Sequence, residues 1–111
     1  MTARLTYVIK YVADMDRAVA FYRDTVGLPL KFASPGWSEF VTGETTLALH
    51  QATSDSPAGT CEVGFGVADV EAFHREKVAV GFEFPRPPRD EHGVKLATMR
   101  DCDGTVISLS S

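Results

Sequence analysis

The residues in this chain best suited to chemistry are Glu62, His50, Tyr7, Tyr11, Trp37 and Ser108. Glu62 belongs to the run C-E-V-G-F-G-V, in which Cys61, Val63, Phe65 and Val67 alternate with Glu62, Gly64 and Gly66. Successive side chains of a strand point to opposite faces, so the apolar set turns toward a core and Glu62 shares its face with two glycines. A carboxylate is costly to bury unless it is paired, hydrogen-bonded or holds a cation, and the two absent side chains leave room for a ligand beside it. Glu62 is therefore expected to bind a cationic or hydrogen-bond-donating group, or to act as a general base with His50 or Tyr7 as the acid.

The same alternation sorts the other candidates. In Y-V-I-K-Y-V, Tyr7, Ile9 and Tyr11 fall on one face, with Val8, Lys10 and Val12 on the other. Leu47 and Leu49 turn to the core and Thr46, Ala48 and His50 away from it; Ile107 and Leu109 go inward, and Val106, Ser108 and Ser110 outward. Trp37 is a further aromatic wall for a ligand, though the pattern leaves its face open. His74, beside Arg75 and Glu76, and His92, in a Pro-rich loop, read as surface residues. Cys61 and Cys102 form no C-x-x-C and have no histidine at finger spacing, so they read as two reduced thiols. Gly64-x-Gly66 lies inside a strand and is followed by Asp69, so the dinucleotide fingerprint fails; P-loop and nucleophile-elbow motifs are absent.

These residues are positioned by a repeated element pattern. Val12, Ala13 and Asp14 recur as Val67, Ala68 and Asp69, an offset of 69 − 14 = 55, about half of the 111 residues. Each copy reads as a strand, an Asp N-cap, an amphipathic helix and a Gly stop. The helices are expected near residues 14–26 and 69–80. Met15, Ala18, Val19, Tyr22 and Val26 form one apolar stripe, and Val70, Phe73, the stem of Lys77 and Val80 form the other. Strands are expected at residues 30–34, 37–42 and 45–51 after the first helix. After the second they are expected at residues 82–84, 94–100 and 105–110, with Pro85, Pro87 and Pro88 in a loop. The predicted fold is α+β: one domain over residues 1–111, built from two tandem βαβββ modules at about residues 1–53 and 60–111 that form a curved eight-stranded mixed sheet with a concave cleft.

Composition narrows the function classes. The chain is 44% hydrophobic and 23% charged, the profile of a compact globular domain. Its net charge of −4 has the wrong sign for neutralising phosphates, so nucleic acid is not an expected partner. No run is long and apolar enough to cross a membrane, and residues 1–14 lack a signal-peptide pattern, so a cytoplasmic location is expected.

The segment D-M-D-R-A-V-A-F-Y-R-D-T-V-G-L-P-L, the L-A-L-H strand, the later V-A-D-V-E-A-F and the closing R-D-C-D-G-T-V-I-S-L resemble the vicinal oxygen chelate superfamily, which includes glyoxalase I, extradiol dioxygenases, and fosfomycin and bleomycin resistance proteins. The similarity spans nearly the whole chain. Metal-dependent members place His or Glu ligands at positions that correspond here to Tyr7, Ala48, Glu62 and Ser108. Glu62 alone is a good divalent-metal donor, whereas a site for Zn, Ni, Mn or Fe(II) needs about three. The resemblance thus implies a glyoxalase/bleomycin resistance-like protein that binds a small molecule in the cleft, with no metal or other cofactor. Tyr7, Ile9, Tyr11, Trp37, His50, Glu62 and Ser108 would line that site, and a homodimer would contribute residues of both chains to each cleft. The alternatives are a metal-dependent lyase, isomerase or dioxygenase with a displaced site joining His50 to Glu62, and a metal-free acid–base enzyme.

Overall fold

The computed structural model describes residues 2–111, so Met1, the first residue of the expected domain, lies outside the described residues. The fold is α+β, an eight-stranded mixed sheet with two α-helices. Residues Thr6–Glu62 form one compact unit, and Val63–Ser111 together with the residues through Leu5 form the other.

The first module runs β1 (Arg4–Val12), α1 (Met15–Ala20), a π-helical turn (Phe21–Val26), β2 (Leu30–Phe32), β3 (Trp37–Phe40) and β4 (Thr46–Gln51). Its strand order is β2-β3-β4-β1, with β1 parallel to β4 and the other pairs antiparallel. Asp14 caps α1, its Oδ1 accepting the Arg17 N–H at 3.1 Å. Gly27 closes the π turn at φ 88°, a conformation natural to glycine. Met15 and Val19 pack with Val12, Phe40 and Leu49, and Ala18, Tyr22, Leu28, Leu30 and Leu47 surround them. Val26 does not join this stripe and is 52% exposed. The wider π turn breaks the helical spacing that would have brought it beneath Tyr22. The segment joining the modules, residues 52–60, is tied down at its end: Tyr11 donates its N–H to the Thr60 carbonyl and accepts from the Gly59 N–H, both at 2.9 Å.

The second module runs β5 (Cys61–Gly66), α2 (Val70–Ala79), β6 (Arg86–Glu91), β7 (Val94–Arg100) and β8 (Val106–Ser110), in the order β5-β8-β7-β6. Asp69 caps α2 by accepting the Ala72 N–H at 3.1 Å, and the Ser111 hydroxyl accepts the Val70 N–H at 3.1 Å. Val70, Val67, Ala97, Met99 and Leu109 form its core, flanked by Phe65, Phe73, Phe84 and Ile107. Val80 stands outside the stripe, 70% exposed, because α2 ends at Ala79. Cys61 and Val63 are also exposed, so only Phe65 and Val67 of the expected apolar set reach the core.

The structure corrects the expected strand at residues 82–84. The sixth strand is instead Arg86–Glu91, within the segment read as a Pro-rich loop. It lies at the end of the strand order and shifts register between Arg86 and Arg89, which accommodates Pro87 and Pro88 where a central strand would not. His92 and Gly93, at φ 52° and 81°, supply the two positive-φ positions of a tight hairpin between β6 and β7. His92 is exposed, as expected of a surface residue, whereas His74 is half-buried with its ring edge-on to Phe84 at 4.7 Å.

Candidate functional site

The face of the first half-sheet turned away from α1 gathers the candidates. Register sets Tyr11 opposite His50 and His50 opposite Trp37; the next row is Ile9, Ala48 and Glu39, and Tyr7 pairs with Thr46. Phe40 and Leu49 lie in the helix-side core, and Ser38 donates to the Met15 sulfur at 3.4 Å. Alternation therefore sends Trp37 and Glu39 to the other face, which fixes the orientation that the sequence left open. Ring centroids are 6.0 Å apart for Tyr7 and Trp37, 5.9 Å for Trp37 and His50, and 5.0 Å for Tyr11 and His50. Ile9 and Ala48 are 7% and 0% exposed yet belong to neither helix-side core, so they floor this face while the rings around them stay half-buried. Ile9, expected to line a ligand site, is thus buried on this face, in the row between those of Tyr7 and Tyr11.

Glu39 is the buried carboxylate of this face, and sequence reasoning missed it. It is 8% exposed and accepts the Trp37 Nε1–H on Oε2 at 2.8 Å; its other oxygen, Oε1, is 3.8 Å from the Lys31 ammonium. A hydrogen bond to a charged group is worth about 1.5–3 kcal/mol, whereas an exposed ion pair is worth about 0–1 kcal/mol. The Lys31 side chain is 61% exposed, so the indole holds the carboxylate and Lys31 is a loosely held counter-ion. The signal was present in W-S-E-F: once Phe40 is assigned to the core, Glu39 and Trp37 must share the opposite face.

Burial, and then the negative charge of Glu39, raises the Tyr7 pKa above its ordinary value of 10.0. Tyr7 therefore keeps its proton at neutral pH and serves as a hydrogen-bond donor. His50 Nδ1 lies 2.7 Å from the Gln51 carbonyl, which can only accept, so Nδ1 carries a proton and Nε2 is an acceptor whenever the ring is neutral. The face thus offers aromatic surface, a phenolic donor, an imidazole acceptor and a sequestered carboxylate. Glu62, half-buried, is on β5 at the end of the same compact unit. Ser108 lies in the other unit, on β8 opposite Gly64.

The metal positions implied by the family resemblance do not make a metal centre from their own chemistry. Ala48 has no donor atom, Ser108 offers a neutral hydroxyl, and Tyr7 is a phenol whose deprotonation is disfavoured by burial and by Glu39. Among the described residues the His, Cys, Asp and Glu side chains that converge are Asp101, Cys102 and Asp103, exposed on the turn before β8. Asp101 Oδ1 there accepts the Asp103 and Thr105 N–H groups, each at 2.9 Å, as a turn-forming aspartate does. A concavity of about 820 Å³ lies on the opposite side of the first module, lined by residues that include Asp14, Asp16, Arg23, Ser34 and Gln51. It is an open trough whose Asp14 is engaged as a helix cap, and it brings together no buried charge, so the aromatic face is the better candidate.

A sequence profile of the Glyoxalase/Bleomycin resistance protein/Dioxygenase superfamily matches residues 4–109, and the chain belongs to that superfamily. Among solved structures it is similar to a hypothetical protein from Bacillus halodurans C-125, with TM-score 0.80, 17% identity and coverage of 99% of this chain and 94% of that one. A methylmalonyl-CoA epimerase in complex with methylmalonyl-CoA and NH4+ gives TM-score 0.75 at 22% identity over 99% of this chain and 94% of that one. An NAD-dependent benzaldehyde dehydrogenase from Legionella pneumophila gives TM-score 0.75 at 20% identity over 94% and 96% of the two chains. No curated protein matches the sequence. Identities this low show the fold alone, and names as different as epimerase and dehydrogenase on similar folds leave the function to be argued from the site.

Proposed function

We propose that this chain is a small-molecule binding protein of the glyoxalase/bleomycin resistance type, without a catalytic metal, whose ligand lies against Tyr7, Tyr11, Trp37 and His50 over the Ile9–Ala48 floor. The observation that carries this reading is Glu39, a carboxylate only 8% exposed and held by an indole N–H within a ring of aromatic side chains. The indole satisfies one carboxylate oxygen, and the other meets only the loosely held Lys31, which leaves it able to pair with a ligand group. The donor chemistry at Tyr7, Ala48 and Ser108 supports binding over the metal-dependent lyase, isomerase or dioxygenase alternative. Glu62 and Ser108 remain proposed ligand contacts. The reading includes a homodimer in the cytoplasm, supported by the exposed Phe21, Phe32 and Val41, which are 51%, 42% and 54% accessible. The charge of −4 argues against nucleic acid, and among the described residues no helix is long and apolar enough to cross a membrane.

Trp37 is the single tryptophan, so its fluorescence reports on the site without labelling. Screening a fragment library by Trp37 emission, alongside elemental analysis of protein purified without chelator, is expected to yield quenching ligands and far less than one equivalent of transition metal. About one equivalent of Zn, Ni, Mn or Fe per chain, lost on Glu62→Ala, would overturn the metal-free reading. A library in which no compound alters Trp37 emission would overturn the placement of the site.

A further inference from the structure

The distribution of charge around Glu39 specifies the kind of ligand. We infer that the site recognises an organic cation, in particular an alkylated ammonium group, and that Lys31 occupies its place in the absence of ligand. The inference rests on the binding role proposed above and adds the ligand class to it.

One oxygen of Glu39, Oε2, is taken by the Trp37 N–H at 2.8 Å, which leaves Oε1 as the pairing atom. That oxygen already meets a cation, Lys31, at 3.8 Å, beyond a good hydrogen-bond distance and on a side chain 61% exposed. An ammonium group can therefore reach Oε1 from the solvent side, and the one now there is easily displaced. A guanidinium fork is matched poorly, because it needs both carboxylate oxygens. An alkylated ammonium needs a single negative atom and aromatic faces around it. Trp37 is bonded to the carboxylate and Tyr7 stands 6.0 Å from Trp37, close enough to Glu39 that the carboxylate charge raises the phenol's pKa. The charge and the ring surface are thus side by side, and both belong to the first compact unit.

The test uses choline and its neutral isostere 3,3-dimethylbutan-1-ol as probes, titrated against the intact protein by Trp37 fluorescence. Choline is expected to bind in the millimolar range and at least roughly tenfold more tightly than the alcohol. Glu39→Gln is expected to remove that preference. Lys31→Ala, at an exposed position, is expected to tighten choline binding by roughly two- to fivefold, since it deletes the internal competitor. Arg17→Ala removes the same charge from exposed α1 and is expected to leave choline affinity unchanged. Equal binding of choline and the alcohol, untouched by Glu39→Gln, would overturn the cation assignment while leaving a neutral-ligand site standing. Absence of choline binding to both the parent protein and Lys31→Ala would overturn it as well. The fragment screen then decides separately whether the face binds small molecules at all.

Discussion

Matched by strand order, the two modules differ on one face and agree on the other. The row Ile9, Ala48 and Glu39 of the first corresponds to Gly64, Ser108 and Thr98 of the second, and the row Tyr11, His50 and Trp37 corresponds to Gly66, Ser110 and Leu96. On the helix side, Leu49 and Phe40 correspond to Leu109 and Met99, apolar in both, and each helix begins at a capping Asp. The scaffold has been repeated with its packing intact, while the ring surface and the buried carboxylate are confined to one copy. Duplication of this kind keeps the side that folding needs and leaves the other side open to specialise.

The comparison is tested most strongly in the shared cores. Leu49, 0% exposed, and Leu109, 2% exposed, occupy matching places, so Leu49→Ala and Leu109→Ala are each expected to lower stability by about 2–5 kcal/mol in urea unfolding. A difference of more than about 2 kcal/mol between them would break the claim that the scaffolds are equivalent. The caps give a smaller effect. Asp14→Ala and Asp69→Ala are expected to cost about 0.5–2 kcal/mol each, with Asp14 the larger loss. The first turn of α2 keeps the Ser111 hydroxyl on the Val70 N–H, and α1 has only six residues to absorb the change. Thermal melts of the two variants would order them, and a larger loss at Asp69 would contradict this account.

The smallest effect concerns Tyr7, whose counterpart at the 55-residue offset is Glu62. Folding raises the Tyr7 pKa above 10.0, so the stability linked to its protonated form is fully present below about pH 10 and is lost as pH rises through the higher folded-state value. Tyr7→Phe is therefore expected to flatten the alkaline decline in stability and to leave the neutral range unaffected by ionisation. A pH series of urea midpoints measures this, and an unchanged alkaline slope would show that Tyr7 ionisation is not coupled to folding.

The parts that were legible in the sequence rest on local, repeated physics. Asp14 and Asp69 are visible as caps because side-chain acceptors at helix starts satisfy nearby N–H groups, and the strands Thr46–Gln51 and Val94–Arg100 are visible because alternation persists over their length. Legibility stops where a tertiary decision overrides the local pattern. Pro87 and Pro88 argue for a loop until the position of β6 at a sheet edge removes the objection. Tyr22 and Val26 have helical spacing until the π turn separates them. Glu39 escaped notice because its importance comes from neighbours on β1 and β4, while Glu62 stood out through the two glycines beside it in sequence.

The edge strand β6 has a consequence for how the protein behaves at high concentration. An exposed edge is a template for another chain's backbone, and the usual defences are brevity, charge and proline. Pro87 and Pro88 lack the N–H groups such a template needs, and Arg86, Arg89, Asp90 and Glu91 surround them with charge. At the other end of the strand order, β2 offers only Leu30–Phe32, with Lys31 at its centre. Both ends thus resist strand-by-strand extension, so a protein that is largely sheet is guarded against growing into fibrils. Lys31 serves in two capacities, as the cation beside Glu39 and as the charge that blunts an edge.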